Sequence, residues 1–108
     1  MIVRVWRGRT SAAKADAYAD FLQAGAYPDY GEIEGNRGWM LLKRPLGESV
    51  EFMFLSFWDS MDAVARYTGG DPNQPKYYPE DRAALSELPD GVDHFDVVDL
   101  EPRWADSR

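Results

Sequence analysis

The chain has no cysteine and a single histidine among its 108 residues. The first absence removes disulfides, thiolate nucleophiles and cysteine metal sites together, and one imidazole leaves any zinc or iron site to be assembled mostly from carboxylates. A dedicated transition-metal site is not expected. Long apolar runs are also missing. Nothing approaches the roughly 18 consecutive apolar residues that span a bilayer, and Met1 leads straight into a strand pattern without a basic and then greasy leader. The expectation is a soluble, cytoplasmic protein. Positive charge is scarce: 12 Lys+Arg stand against 19 Asp+Glu, a net −7, and eight acidic residues from Glu80 to Glu101 face only Arg82. That balance opposes phosphate backbones and anionic lipid, so nucleic acid and membrane are not expected partners.

What the chain does have is apolar and aromatic substance, with 44% hydrophobic residues and no composition shift that would divide it. One domain over residues 1–104 with a short tail, 105–108, is expected. Its most informative stretch is Val50 to Trp58, where apolar residues occupy both parities: Val50, Phe52, Phe54 and Trp58 on one, Met53, Leu55 and Phe57 on the other. A strand of that kind is buried on both faces. Two or three short helices cover one face of a small sheet, so the second face calls for apolar cover from elsewhere. A second copy of the same sheet, in a homodimer, is the expected cover.

The flanking pattern supplies the remaining elements. Ile2 to Arg9 reads as a strand, and Thr10 and Ser11 offer capping oxygens to a helix from Ala12 to about Ala26, with Ala15, Tyr18, Leu22 and Gly25 on one stripe. Tyr27-Pro28-Asp29-Tyr30-Gly31 breaks that helix. Gly35-Asn36-Arg37-Gly38 leads into a strand from Trp39 to Arg44, and a four-residue loop, Pro45 to Glu48, returns the chain into Val50–Trp58. With Arg44 opposite Ser49, Leu41 faces Phe52, Trp39 faces Phe54 and Met40 faces Met53. Asp59-Ser60 caps a short helix to about Tyr67, whose inward positions are Met61, Val64 and Ala65, and Thr68-Gly69-Gly70 ends it. Pro79-Glu80-Asp81 opens a third short helix with Leu85 and Leu88 on its buried side, and Val92 to Leu100 reads as an edge strand. The order is that of an α+β, ferredoxin-like βαββαβ sandwich.

The chain resembles the antibiotic-biosynthesis-monooxygenase-like family of the dimeric α+β barrel superfamily. The resemblance is carried by Ile2-Val3-Arg4-Val5-Trp6-Arg7-Gly8, Gly35-Asn36-Arg37-Gly38, Phe57-Trp58-Asp59-Ser60, Tyr77-Tyr78-Pro79-Glu80-Asp81 and His94-Phe95-Asp96-Val97-Val98. It implies two protomers whose sheets close face to face into a barrel, with a pocket between each sheet and its own helices. It also implies oxidation of small aromatic compounds of phenol, anthrone or quinone type by molecular oxygen, without metal or flavin. Other members cleave haem; that branch is expected to carry an asparagine early in the first strand and a histidine on a helix. Here Arg4 and Trp6 occupy the first strand and the histidine falls on the last, a departure that argues against haem cleavage.

Cofactor-free oxygenation of a phenol needs a base and a water-poor site that protects the anion. His94 is the candidate base, with Asp96 two residues along the same strand face to orient it. The alternative is an ordinary strand histidine at a rim or interface. Arg4, in the middle of the first strand, is a candidate for holding a substrate carboxylate or phenolate, or else one half of a structural ion pair. Trp39, Phe54 and Trp58 are candidates for the wall of a flat-ligand pocket, or else plain core. Tyr77 and Tyr78 precede the third helix in a loop long enough to act as a lid; the alternative is a pair of anchors that pin the loop. The glycine-bearing turns lack the lysine of a phosphate loop, and the acidic C-terminal half lacks calcium-loop spacing. Three functions remain open: an oxygenase of small aromatics, a binding or sensing dimer with the same cavity, and a purely structural dimer.

Overall fold

β1 (Ile2–Ser11) and β3 (Ser49–Trp58) pair antiparallel over their whole lengths, from Ile2 opposite Trp58 to Ser11 opposite Ser49. They are the centre of the sheet in the computed structural model, which describes residues 1–26, 32–75, 79–87 and 91–103. β2 (Asn36–Leu46) flanks β3 on one side. On the other side two short strands share the free edge of β1. β4 (Leu85–Glu87) pairs with Arg9 and Thr10, and β5 (Asp93–Asp96) pairs with Ile2 to Val5. The helices are α1 (Ala12–Phe21), prolonged by a π-helical turn at Leu22–Ala26, α2 (Met61–Thr68) and α3 (Pro79–Ala84). This is the expected ferredoxin-like α+β order, with the last strand in two pieces.

Parity decides the layers. On β3, Phe52, Phe54, Ser56 and Trp58 are buried, and they meet Ala15, Tyr18 and Leu22 from the first helix and Ala63 and Val64 from α2 in one core. Tyr18 sets its ring edge-on to Phe52, with centroids 5.4 Å apart. The opposite parity leaves Met53, Leu55 and Phe57 only partly covered beside Met40 and Leu42 of β2, which are 37% and 40% exposed. Val5, on that same open face, is nevertheless buried, because the neighbouring strands crowd it from both sides.

Four expectations need correction. The β2–β3 hairpin is two residues out of the expected register: Leu41 faces Phe54, Trp39 faces Ser56, Met40 faces Leu55 and Arg44 faces Glu51. The reason is Gly47, whose φ of 65° permits a two-residue turn, so β2 runs on through Pro45 to Leu46. Pro45 is tolerated because β2 is an edge strand. Leu85 is buried as expected, but in β4 and not in a helix, since the chain there has reached the open edge of β1. The final strand stops at Asp96 instead of Leu100, where its partner β1 begins at Ile2; one further bond follows, from the Val97 amide to the Met1 carbonyl at 3.0 Å. In α2 the deeply buried residues are Ala63 and Val64, while Ala65 is half-buried. Leu88 and residues 104–108, with the short tail, lie outside the described residues.

Capping divides in the same way between expectation and outcome. Ser60 caps α2 by accepting the Ala63 amide at 3.2 Å, and Gly69 closes that helix in the left-handed conformation at φ 71°. Ser11 stands at the N-cap of α1 without a side-chain capping bond, and Thr10, fully buried, donates instead to the Ala84 carbonyl where α3 passes into β4. Trp6 folds back over Gly8, where a Cβ would collide with its ring and press on Leu85 at 3.0 Å. Gly8→Ala is therefore expected to cost about 1–3 kcal/mol by overpacking. Urea denaturation should show that penalty shrink when Trp6→Leu is combined with it, the coupling expected of side chains in contact.

Candidate functional site

The strand registers align one row of side chains across the helix-covered face of the sheet. Trp39 on β2 stands opposite Ser56 on β3, Ser56 opposite Arg4 on β1, and Arg4 opposite His94 on β5. A β-strand sends alternate residues to the same face, so the row follows from backbone pairing alone. Its members differ in exposure. Ser56 and Arg4 are buried, His94 is half-buried, and Trp39, on the edge strand, is 42% exposed.

Arg4 is the hub. One guanidinium nitrogen, Nη1, donates to the Pro72 carbonyl and lies 3.1 Å from His94 Nε2, while Nη2 donates to the Gln74 carbonyl at 2.8 Å. The Tyr67 ring of α2 covers the guanidinium, with its centroid 5.9 Å from Arg4 Cζ, and Tyr67 in turn lies 5.2 Å from Trp58. Beneath them the Trp58 indole N–H donates to Ser56 Oγ at 2.8 Å, which satisfies two polar groups in the core at once. A buried cation is tolerated because carbonyl dipoles and an aromatic face replace its water.

The contact between Arg4 and His94 fixes the state of the imidazole. A guanidinium only donates, so Nε2 of His94 accepts and its proton resides on Nδ1. Burial holds the pKa of His94 below the ordinary 6.5, the Arg4 charge lowers it further, and Asp93 acts in the opposite direction. Asp93 is itself paired with Arg7 at 2.9 Å on the open face. The structure thus brings His94 to Arg4 and not to Asp96, which sits one row away opposite Ile2 and is exposed. Phe54 and Trp58 belong to the core, Trp58 completely so, and Trp39 stands at the outer end of the row. Tyr77 and Tyr78 lie outside the described residues. Sequence reasoning missed Ser56, the one small polar residue among the apolar residues that share its face of β3, and Tyr67. It had no signal for the carbonyls of Pro72 and Gln74. Among the described residues, no three His, Asp or Glu side chains gather as a metal group would require.

The geometry invites comparison with solved structures. A putative antibiotic biosynthesis monooxygenase from Bacillus cereus superposes with a TM-score of 0.62 at 11% identity, over 94% of this chain and 97% of the other. The chain has the antibiotic-biosynthesis-monooxygenase-like fold. MhuD, the haem-degrader of Mycobacterium tuberculosis, shares that fold at 18% identity, over 94% of this chain and all of its own. Its TM-score is 0.54 with two haems in the active site and 0.62 for a variant holding two manganese protoporphyrins. A protein of unknown function from Nitrosomonas europaea matches at 0.60, with 20% identity, over 94% of this chain and 92% of its own. No family model and no curated protein matches the chain in sequence. Within this fold, no helix among the described residues is long and apolar enough to cross a membrane.

Because the chain holds one histidine, its imidazole is resolved without assignment in an NMR titration. The expected midpoint lies below 6.5, and Arg4→Met should raise it by removing the guanidinium charge. The unfolded chain takes up the proton first, so the stability tied to neutral His94 is present above pH 6.5 and is lost as pH falls from there through the native value. Thermal unfolding across that window should show a steeper loss for wild type than for His94→Gln.

Proposed function

We propose that this chain is a homodimeric, cofactor-independent monooxygenase-like protein acting on a small aromatic compound of phenol, anthrone or quinone type. The observation that carries the reading is the row Trp39, Ser56, Arg4, His94 on the helix-covered face of the sheet. It sets an aromatic surface, a buried cation and a neutral imidazole in one line. The chemistry is self-contained. The base removes a proton, the carbanion or phenolate passes electrons to dioxygen, one oxygen atom becomes the new carbonyl of the product and the other leaves as water. The substrate supplies all the electrons. His94 would serve as base and Arg4 as the charge that favours the anion, with Asp96 an outer partner at the end of β5.

Assembly belongs to the same proposal. The open face, with Met40, Leu42, Met53, Leu55 and Phe57, offers a broad apolar surface rimmed by the Arg7–Asp93 and Arg44–Glu51 pairs, the latter at 2.7 Å. Such a surface fits a second copy of itself. Met53→Glu is expected to give a folded monomer in sedimentation velocity, because Met53 is on the open face, whereas Phe54→Glu should unfold the chain, because Phe54 is core. An unchanged dimer for Met53→Glu would refute sheet-to-sheet assembly.

A second reading, a binding or sensing dimer without turnover, is favoured by one detail: the lone pair of Nε2 that a base needs is already accepting from Arg4. Haem as the molecule acted on fits less well. The histidine lies on β5, facing Arg4, and not on a helix. A thermal-shift panel of phenols, anthrones, quinones and haem, followed by oxygen uptake, separates these readings. An oxygenase is expected to consume oxygen with a stabilising phenol or anthrone and to lose that turnover, but not the binding, in His94→Ala. Stabilisation without uptake supports the sensor.

A further inference from the structure

The contacts of Arg4 bear on more than a bound substrate. Residues 71–75 are held at three places. Arg4 donates to the carbonyls of Pro72 and Gln74, and the Val92 amide, just before β5, donates to the Asn73 carbonyl at 3.2 Å. Inside the segment, the Gln74 amide donates to the Asp71 carbonyl at 3.2 Å and the Asn73 amide to Asp71 Oδ1 at 2.9 Å. The segment is thus a strap whose fastening to the sheet runs largely through one guanidinium. That guanidinium keeps its position in part because His94 Nε2 stands 3.1 Å away as an acceptor.

We propose that protonation of His94 unfastens the 71–75 strap from Arg4, so that the helix-covered side of the sheet opens in acid and closes at neutral pH. An imidazolium has no lone pair, so at this distance two cations and two opposed donors replace one hydrogen bond. The backbone pairing of Arg4 with His94 holds both α-carbons, and relief therefore comes from the side chains. Arg4 turns away from its neighbour and gives up the carbonyls of Pro72 and Gln74. The charges around His94 do not cancel this. From β5, Asp93 favours the imidazolium but is shared with Arg7 of β1, and Asp96 is exposed one row away. From the strap, Asp71 accepts from its own segment, and from α2 the Tyr67 ring lies over Arg4. The depressed basicity of His94 places the transition below neutrality.

Amide hydrogen exchange on the full chain tests this without any ligand. At each pH, wild type is compared with His94→Gln, whose side-chain oxygen keeps an acceptor for Arg4 and never takes a proton. Between about pH 8 and about pH 5, protection at Gln74 and Val92 should fall about tenfold further in wild type than in the variant, while β3 amides stay equal. Identical profiles for the two proteins would overturn the proposal. A second measurement stands on wild type alone: the Gln74 and Val92 amide resonances should titrate with the same midpoint as the single imidazole. Strap resonances that move with a different midpoint, or do not move, would refute it.

Discussion

The unbroken pairing of β1 with β3, from Ile2 opposite Trp58 to Ser11 opposite Ser49, is the constraint on which everything else in this molecule rests. It fixes a parity for every residue of the two central strands. β2 and β5 then attach to those strands in register and inherit the same parity. A slip of one residue would carry Phe52, Phe54 and Trp58 to the open face and bring Met53, Leu55 and Phe57 under the helices. The two faces have unlike chemistry, so the slip has no compensation. The helix side is filled by aromatic rings of several shapes around Ala63 and Val64 with complete burial, whereas the open side is an even apolar surface with ion pairs at its rim.

Arg4 is the exception that this order makes possible. It is a charge at a core parity, 5% exposed, in the strand that holds the sheet together. Several kcal/mol of desolvation follow from burying an ion, and they are offset here by strong charge-assisted bonds to backbone carbonyls and by an aromatic face. The arrangement ties together parts of the chain far apart in sequence: β1, α2, the 71–75 segment and β5. A hydrophobic residue at the same position would fill the space but bind none of those carbonyls. The buried Tyr18–Asp81 pair, with its hydroxyl donating at 2.6 Å, joins the first and third helices in a similar way.

Much of this was legible beforehand. The two-sided apolar run of β3 announced a strand apolar on both faces; the Ser60 and Gly69 caps bounded α2; and the order of elements gave the ferredoxin-like fold. The errors have a common origin. The β2–β3 register turned on the backbone angle of Gly47, the length of β5 on where β1 begins, and the strand state of Leu85 on an edge left vacant by a distant segment. None of these is a local property of the residues concerned. The site was half legible: Arg4, Trp39 and His94 stood out by type, yet Asp96 was the expected partner of His94 on grounds of proximity along one strand. A neighbour across the strands, with hydrogen bonds perpendicular to the chain, took that place instead.

The sequence by itself determined the period and parity of each element, and with them the fold class and the apolar character of both sheet faces, because those depend on residue type and spacing along a few positions. Only the tertiary structure decided that Arg4 meets His94 and the carbonyls of Pro72 and Gln74. Those contacts join residues 68 to 90 positions apart. They depend on strand register and on where backbone oxygens point, which every residue carries alike and no sequence pattern distinguishes.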